Sequence, residues 1–328
     1  MKHIVFARRK LSFRGDERVL IARTDALGDL LISIPVQNRL LSRFPALEVH
    51  WLVRPYSAPL LEGHPGVAGI HLRTEGQDLV SLFSQVAPQA ILNLGHRDQD
   101  VIVAAKKAAI PTRVARARGL AQILGATDLV WKGRYGTGRH EAMNVLDFLS
   151  PWGLDGGAPE PPRLFLAEAE RAQGERDLPR LDRPRLGLFL QGTGAGAHPS
   201  GTWWAGARAT FLKEGWEATV LGPAEQSDLP PTDLRGLMAR MAACDLIISP
   251  SSGPAHMAAA LGVPLLCLMG LRPNHTPDRW GPLGSRVQVV QYEPPEADLT
   301  GGMDRIDPLT LVPHIQRLLK QSMERPHD

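Results

Sequence analysis

Cysteine is nearly absent from this chain of 328 residues, which has only Cys244 and Cys267. They form neither a CxxC pair nor a disulfide framework, and both stand among apolar residues that read as core, so reduced thiols in a cytoplasmic protein are expected. Long apolar runs are missing too. None approaches the roughly 18 residues that span a bilayer, and the short apolar stretch in MKHIVFARRK is too brief for the hydrophobic region of a signal peptide. Nor is there an excess of one charge: 37 Lys and Arg against 34 Asp and Glu leave a net charge of +3. That is too little for a polycation built to neutralise a duplex, so no nucleic-acid partner is expected. No short-period repeat or low-complexity tract is found. The reading at this level is a soluble protein, at most peripheral to a membrane.

What the chain does have is apolar content for two cores, 43% of its residues, and a length beyond the roughly 100–200 residues usual for one domain. Short apolar runs alternate with longer helical patterns, the signature of βαβ units with a parallel sheet. Strands are predicted at Val19–Ala22, Val49–Val53, Ala90–Leu94, Leu186–Leu190, Ala218–Leu221, Leu246–Ser249 and Leu265–Met269. Helical spacing covers Leu30–Phe44, Val101–Ala109 and His140–Leu149. The Gly/Pro-rich stretch Leu154–Pro162 is the best linker, dividing the chain into halves 1–160 and 161–328. A final helical pattern from Pro308 to about Met323 closes the second half or crosses back onto the first.

In the first half, VLIARTDALGDLLISIP (Val19–Pro35) runs an apolar strand into a Gly-containing turn at a helix start. In an open parallel sheet ligands bind at the carboxyl ends of strands, which places Arg23, Thr24, Asp25, Gly28 and Asp29 where chemistry is usually done. Asp29 is the candidate general base; a helix N-cap is its ordinary structural alternative.

The second half has its own strand-turn-helix segment, LIISPSSGPAHMAAAL (Leu246–Leu261). Ser252 or Gly253 can cap the helix, Pro254 suits its first position, and Gly262 can end it. Such a start aims backbone N–H groups and a positive dipole end at a phosphate-like guest, although an isolated S-S-G-P also makes an ordinary capped helix. His256, one turn in, is a ligand contact or a core histidine. Upstream, QGTGAGAHP (Gln191–Pro199) carries Gly192, Gly194 and Gly196 with Thr193 between, a loop able to cradle a diphosphate. No GK[ST] follows, and His198-Pro199 interrupts the helix that a dinucleotide fingerprint needs. Glu225, just past another strand end, can accept from ribose hydroxyls or be a solvated loop acid.

Several of these motifs, in this order, resemble glycosyltransferase family 9, the bacterial ADP-heptose:lipopolysaccharide heptosyltransferases and their relatives. The resemblance spans nearly the whole chain and is most specific in RTDALGDLLISIP, LGPAE, SSGPAHMAAALGVPLLCLMG and DRWGPLG at Asp278–Gly284. It implies a GT-B type α/β architecture, two Rossmann-like domains with parallel sheets facing across a cleft, with the acceptor on the first and the nucleotide-sugar donor on the second. It also implies an inverting, metal-independent transfer without a cofactor, from an ADP-sugar to a glycolipid or other glycan acceptor. Asp29 falls on the family's base, with Arg23, Thr24, Asp25 and Gly28 on the acceptor side. Ser252, Gly253, Pro254 and His256 fall on the donor-binding helix start, Glu225 on the acid near the ribose, and Gly192, Thr193 and Gly194 on the phosphate loop.

Two positions depart from the family. Ser251 stands where an acid usually precedes the helix, and Gly201-Thr202-Trp203 lacks the usual lysine before tryptophan. Arg208 or Lys213 could supply the missing charge. These departures motivate a second reading, a binding or scaffold protein that has lost part of the donor site, and the GTGAG loop motivates a third, a nicotinamide-dependent oxidoreductase. A basic cluster, Lys106, Lys107, Arg113, Arg116 and Arg118, is either a solvated face or a contact with an anionic inner membrane. Trp203 and Trp204 read as packing residues, and Trp280 has a site role through DRWGP.

Overall fold

The computed structural model describes residues 13, 17–95, 98–131, 138–190, 198–222, 227–270, 275–292 and 302–324. The chain divides into two compact units, Met1–Glu160 and Pro161–Asp328.

Strands of the first unit are β1 (Arg18–Ala22), β2 (Glu48–Val53), β3 (Gly69–Leu72), β4 (Ala90–Asn93), β5 (Thr112–Arg116) and β6 (Asp128–Val130). They form a parallel sheet in the order β3-β2-β1-β4-β5-β6. β1 is central, and its run Val19–Ala22 is buried on both faces, as a continuous apolar strand between two layers of helices must be. On one face Leu20, Ala22, Leu52, Phe83, Ile91, Val101 and Ala105 make a single cluster. Helix Leu79–Val86 supplies Phe83 to it and is capped by Asp78, which accepts from Val80 and Ser81 N–H. The helix expected over Leu30–Phe44 is instead two, Leu27–Leu31 and Ile34–Arg43. Pro35 explains the break, since without an N–H it cannot bond to the carbonyl four residues back. The second piece is anchored by buried Gln37, which accepts from Trp51 Nε1 at 2.7 Å.

The second unit holds β7 (Arg185–Leu188), β8 (Glu217–Val220), β9 (Leu246–Pro250), β10 (Leu265–Gly270) and β11 (Val287–Tyr292), parallel in the order β11-β10-β9-β7-β8. Gly187 in β7 is there for close packing: a Cβ would lie 2.6 Å from Ile247 Cδ1 and 3.0 Å from Cys244 Sγ. Trp203 and Trp204 sit in the core with Phe211, Trp216, Leu246, Ile248 and Leu266. Both indoles are satisfied, Trp203 Nε1 by the Ile306 carbonyl at 2.6 Å and Trp204 Nε1 by the Leu190 carbonyl at 2.8 Å. Helix Val312–Glu324 follows a 3-10 turn, and Leu311, Ile315, Leu318 and Leu319 bury in this same core. Cys244 and Cys267 are free and buried, and burial pushes both thiols up to about 12. No described helix is long and apolar enough to cross a membrane.

Four strands, β3, β5, β6 and β11, escape the sequence reading. Three are sheet edges and β5 adjoins one; strands with a solvated side carry His71, Arg113, Asp128 and Gln288 among their apolar residues and lose the continuous hydrophobic signal.

Helices Glu168–Asp177 and Leu234–Ala242 approach so closely at Gly174 that a Cβ there would fall on the Ala239 carbonyl oxygen, whereas Gly206, on the exposed side of helix Gly201–Lys213, has nothing within 4 Å. Gly174→Ala is therefore expected to destabilise by about 1–3 kcal/mol, and Gly206→Ala to stabilise by about 0.5–1 kcal/mol. Urea unfolding of both variants checks this; effects of the same sign would contradict the packing described.

Candidate functional site

In the first sheet β1 lies between β2 on one side and β4 on the other, so the crevice outside the ends of β1 and β4 is a topological switch point, where open α/β sheets bind ligands. The chain leaves β1 through Arg23. This side chain is fully buried, and a buried guanidinium must find acceptors for its donors. Nη2 donates to Asp29 Oδ1 at 2.6 Å, Nε to the Asp29 carbonyl at 3.2 Å and Nη1 to the Leu94 carbonyl at 2.5 Å. Nη1 also lies 3.3 Å from Asp25 Oδ2. Ser33 Oγ adds a bond to the Asp29 carbonyl at 2.7 Å. Asp29 is the third residue of helix Leu27–Leu31, whose N-cap is Ala26 without a side-chain cap bond. The N-cap alternative for Asp29 is thereby overturned: its carboxylate turns to Arg23, and 20% of its side chain stays accessible.

Around this pair stand residues that the sequence reading did not single out. Arg54 Nε donates to the Thr24 carbonyl at 2.8 Å and Tyr56 Oη to the Asp25 carbonyl at 2.6 Å. Burial raises the Tyr56 phenol above its usual range, opposed by Arg54 and reinforced by Asp25 and Asp29, so it stays a donor at neutral pH. From the end of β4, Asn93 Nδ2 donates to the Asp98 carbonyl at 2.9 Å, and Thr24 Oγ1 donates to Asp98 Oδ2. Gly95 makes room for this corner: its missing Cβ would sit 3.0 Å from Asp98 Oδ2, 3.6 Å from Asn93 Oδ1 and 3.7 Å from Asp25 Oδ2. A carboxylate following a strand in LNLGHRD was the available signal for Asp98.

The second sheet has its switch point between β7 and β9. β9 ends in Pro250 and passes through Ser251 and Ser252 into helix Gly253–Ala260, with Ser252 at the N-cap and Pro254 second. Ser252 does not cap with its side chain, which donates to the Pro250 carbonyl at 3.1 Å and meets Ser249 Oγ at 3.2 Å. Gly262, in the left-handed region at φ 74°, ends the helix. His256 is buried at 6% exposure. Ser251 Oγ lies 3.2 Å from His275 Nε2, and His275 stacks on Trp280, over which Arg279 is also placed. Helix Pro277–Trp280 turns out through Gly281, where a Cβ would stand 2.6 Å from the Pro277 carbonyl oxygen. Ser251, Ser252, Gly253, Pro254, His256 and the DRWGP segment are thus local to one end of β9 and β10. Gly192, Thr193, Gly194, Gly196 and Glu225 lie outside the described residues. Arg208 pairs with Asp228 at 2.8 Å, and Lys213 ends its helix, so neither is placed at the start of helix Gly201–Lys213 where the missing lysine would act. Among the described residues, no group of three or more His, Cys, Asp or Glu is placed to hold a metal ion.

Residues 210–302 match the model of Glycosyltransferase family 9 (heptosyltransferase), a span that contains the β9 helix start and DRWGPLG. No curated protein sequence matches the chain. Among solved structures, a family 9 glycosyl transferase from Veillonella parvula DSM 2008 is 19% identical, covers 94% of this chain and 98% of its own, and superposes with a TM-score of 0.77. E. coli ADP-heptose lps heptosyltransferase II is 19% identical over 93% of this chain and 99% of its own, also at 0.77. E. coli heptosyltransferase WaaC with ADP is 16% identical over 92% and 99%, at 0.65. The fold is therefore heptosyltransferase-like and of the GT-B kind, and the family match supports a glycosyltransferase.

Burial raises the Asp98 carboxyl above its usual range, with the charges of Asp25 and Asp100 adding and Arg54 and Arg73 opposing. The folded state then holds a proton that the unfolded chain has released, so this group's contribution falls as pH rises from the ordinary carboxylate value through the raised one. Asp98→Asn keeps an acceptor for Thr24 and removes the titration. Relative to wild type it is expected to gain stability on going from pH 3.5 to pH 7 in urea melts; a difference independent of pH would contradict this environment.

Proposed function

We infer that the chain is an inverting glycosyltransferase that uses no metal, taking a sugar from a nucleoside diphosphate donor to a hydroxyl of a glycan acceptor, with Asp29 as the base. The observation that carries this reading is the Arg23–Asp29 pair at the β1–β4 switch point. One carboxylate oxygen is held on a buried guanidinium at 2.6 Å and the group keeps an accessible side, the arrangement of a base fixed in orientation but open to substrate.

In this reading the acceptor hydroxyl gives its proton to Asp29 while its oxygen bonds to the anomeric carbon from the side opposite the diphosphate. The carbon–oxygen bond to the diphosphate breaks, and inversion follows from that single displacement. The leaving charge goes to the start of helix Gly253–Ala260, the positive end of its dipole. Support for an ADP-sugar comes from the family match over residues 210–302 and from WaaC, a relative in fold whose structure contains ADP. Heptose as the sugar and a lipopolysaccharide core or similar surface glycan as the acceptor belong to the same reading, supported by the likeness in fold to E. coli ADP-heptose lps heptosyltransferase II. Ser251, 6% exposed beside His275, takes the place of an acid in holding donor hydroxyls.

Thermal unfolding with ADP, UDP, GDP and NADH, followed by ADP-sugar transfer assays, tests the reading. ADP at 100 times its dissociation constant is expected to add about 2.7 kcal/mol, and Asp29→Asn to lower kcat by about 10²–10⁴ with ADP affinity retained. ADP binding without turnover in the wild type would identify a donor-binding scaffold instead, and no shift with any nucleotide would remove the donor site.

A further inference from the structure

The basic cluster of the first unit is not the uniform face its sequence suggests. Arg113 is turned inward, its Nε donating to the Gly125 carbonyl at 2.7 Å, and Arg116 is 8% exposed over the Phe148 ring. Lys106, Lys107 and Arg118 remain on the surface. Between them lies something the sequence reading did not register. Helix Leu120–Gly125 exposes Leu120 (71%), Ile123 (41%) and Leu124 (62%), which share one face at spacings of three and four, and Trp131, just after β6, is 73% exposed. Four of the nine exposed large apolar side chains among the described residues gather here, whereas the remaining five are spread along the chain from Tyr56 to Leu309. Lone exposed leucines are ordinary; a contiguous set around a tryptophan marks an interaction surface.

The surroundings say what covers it. Lys106 Nζ donates to the Leu124 carbonyl at 3.0 Å, which fixes an ammonium at the carboxyl end of the apolar helix. Lys107 follows it, and Arg118 precedes the helix at its other end. The nearby carboxylate, Asp128, is engaged by Thr127 Oγ1 at 2.8 Å. Leucines and a tryptophan inside a rim of lysine and arginine suit a surface that offers acyl chains below anionic headgroups. Ala117 N–H bonds to the Val130 carbonyl, so Leu120 and Trp131 both leave the sheet at its carboxyl end, the end that bears Asp29. β6 is three strands from β1, about 14 Å at the usual strand spacing.

We propose that the face of Leu120, Ile123, Leu124 and Trp131, rimmed by Lys106, Lys107 and Arg118, docks the first unit on an anionic phospholipid bilayer. Docking does not rest on the transfer reaction, since vesicle binding is measured without donor or acceptor. The full chain is floated with vesicles of phosphatidylcholine alone and with 30% phosphatidylglycerol. Binding is expected only with the anionic lipid, to be weakened by salt, and to fall about tenfold or more in Leu120→Gln/Leu124→Gln and in Lys106→Glu/Lys107→Glu. The affected side chains are exposed, and an unchanged melting temperature shows that folding is intact. Equal binding by the apolar variant, or no binding to anionic vesicles, overturns the proposal. So does a concentration-dependent dimer that the apolar variant abolishes, which would make a second copy the partner.

Discussion

A guanidinium with no exposure at the end of the central strand is the constraint on which the first unit depends. Taking such a charge out of water costs several kcal/mol, and the fold recovers it only if each donor finds an oxygen. Arg23 does so by drawing on Asp29 from its own turn, Asp25 beside it, and the Leu94 carbonyl beyond β4. The same bonds that satisfy the arginine therefore tie together the ends of two neighbouring strands and hold helix Leu27–Leu31 at a fixed angle to them. A carboxylate placed this way has its geometry set by the interior rather than by a flexible loop. That is why the break at Pro35 is tolerated: the short first helix is held by Arg23 and Ser33, not by its length.

The parts of this architecture that were legible in the amino-acid sequence are those where burial is symmetrical. Val19–Ala22 and Leu265–Met269 are continuous apolar runs, and Ala90–Leu94 is one broken only by Asn93, because helices cover both faces of the sheet there; each expected span agrees with its strand to within a residue at either end. β6, a stretch of three residues, and β11, written VQVVQY, were not found, since edge strands share their residues with solvent. In the site, RTDALGD announced the turn and Asp29. It did not announce that Arg23 points inward, because an arginine after a strand is usually solvated and only the tertiary arrangement supplies acceptors for it. Asn93 ends β4, and Tyr56 and Asp98 follow the ends of β2 and β4; only Asp98, a carboxylate after a strand, carries a local signal. The basic cluster misled for the complementary reason: charge in a sequence says nothing of direction, and Arg113 and Arg116 turn toward carbonyls and an aromatic ring.

The second unit places its chemistry differently. At the ends of β9 and β10 it offers a helix start and a stacked His275–Trp280 pair beside Ser251. The two positions at which the chain departs from family 9 both belong to this unit. At one of them, Ser251, a neutral hydroxyl meets the His275 ring at 3.2 Å without bringing a charge to it. The packing beneath, with Trp203 and Trp204 both satisfied by backbone carbonyls, ties helix Gly201–Lys213 to the core of this sheet.

Whether Arg23 and Asp29 act as one unit is measured directly by a double-mutant cycle on stability. Urea unfolding of Arg23→Met, Asp29→Asn and the double variant gives the interaction energy free of each residue's other contacts. Coupling of about 1–3 kcal/mol is expected for a pair held at 2.6 Å with one partner wholly buried. Additive single effects would mean that the carboxylate is not held by the arginine, and the placement of the base would have to be sought elsewhere.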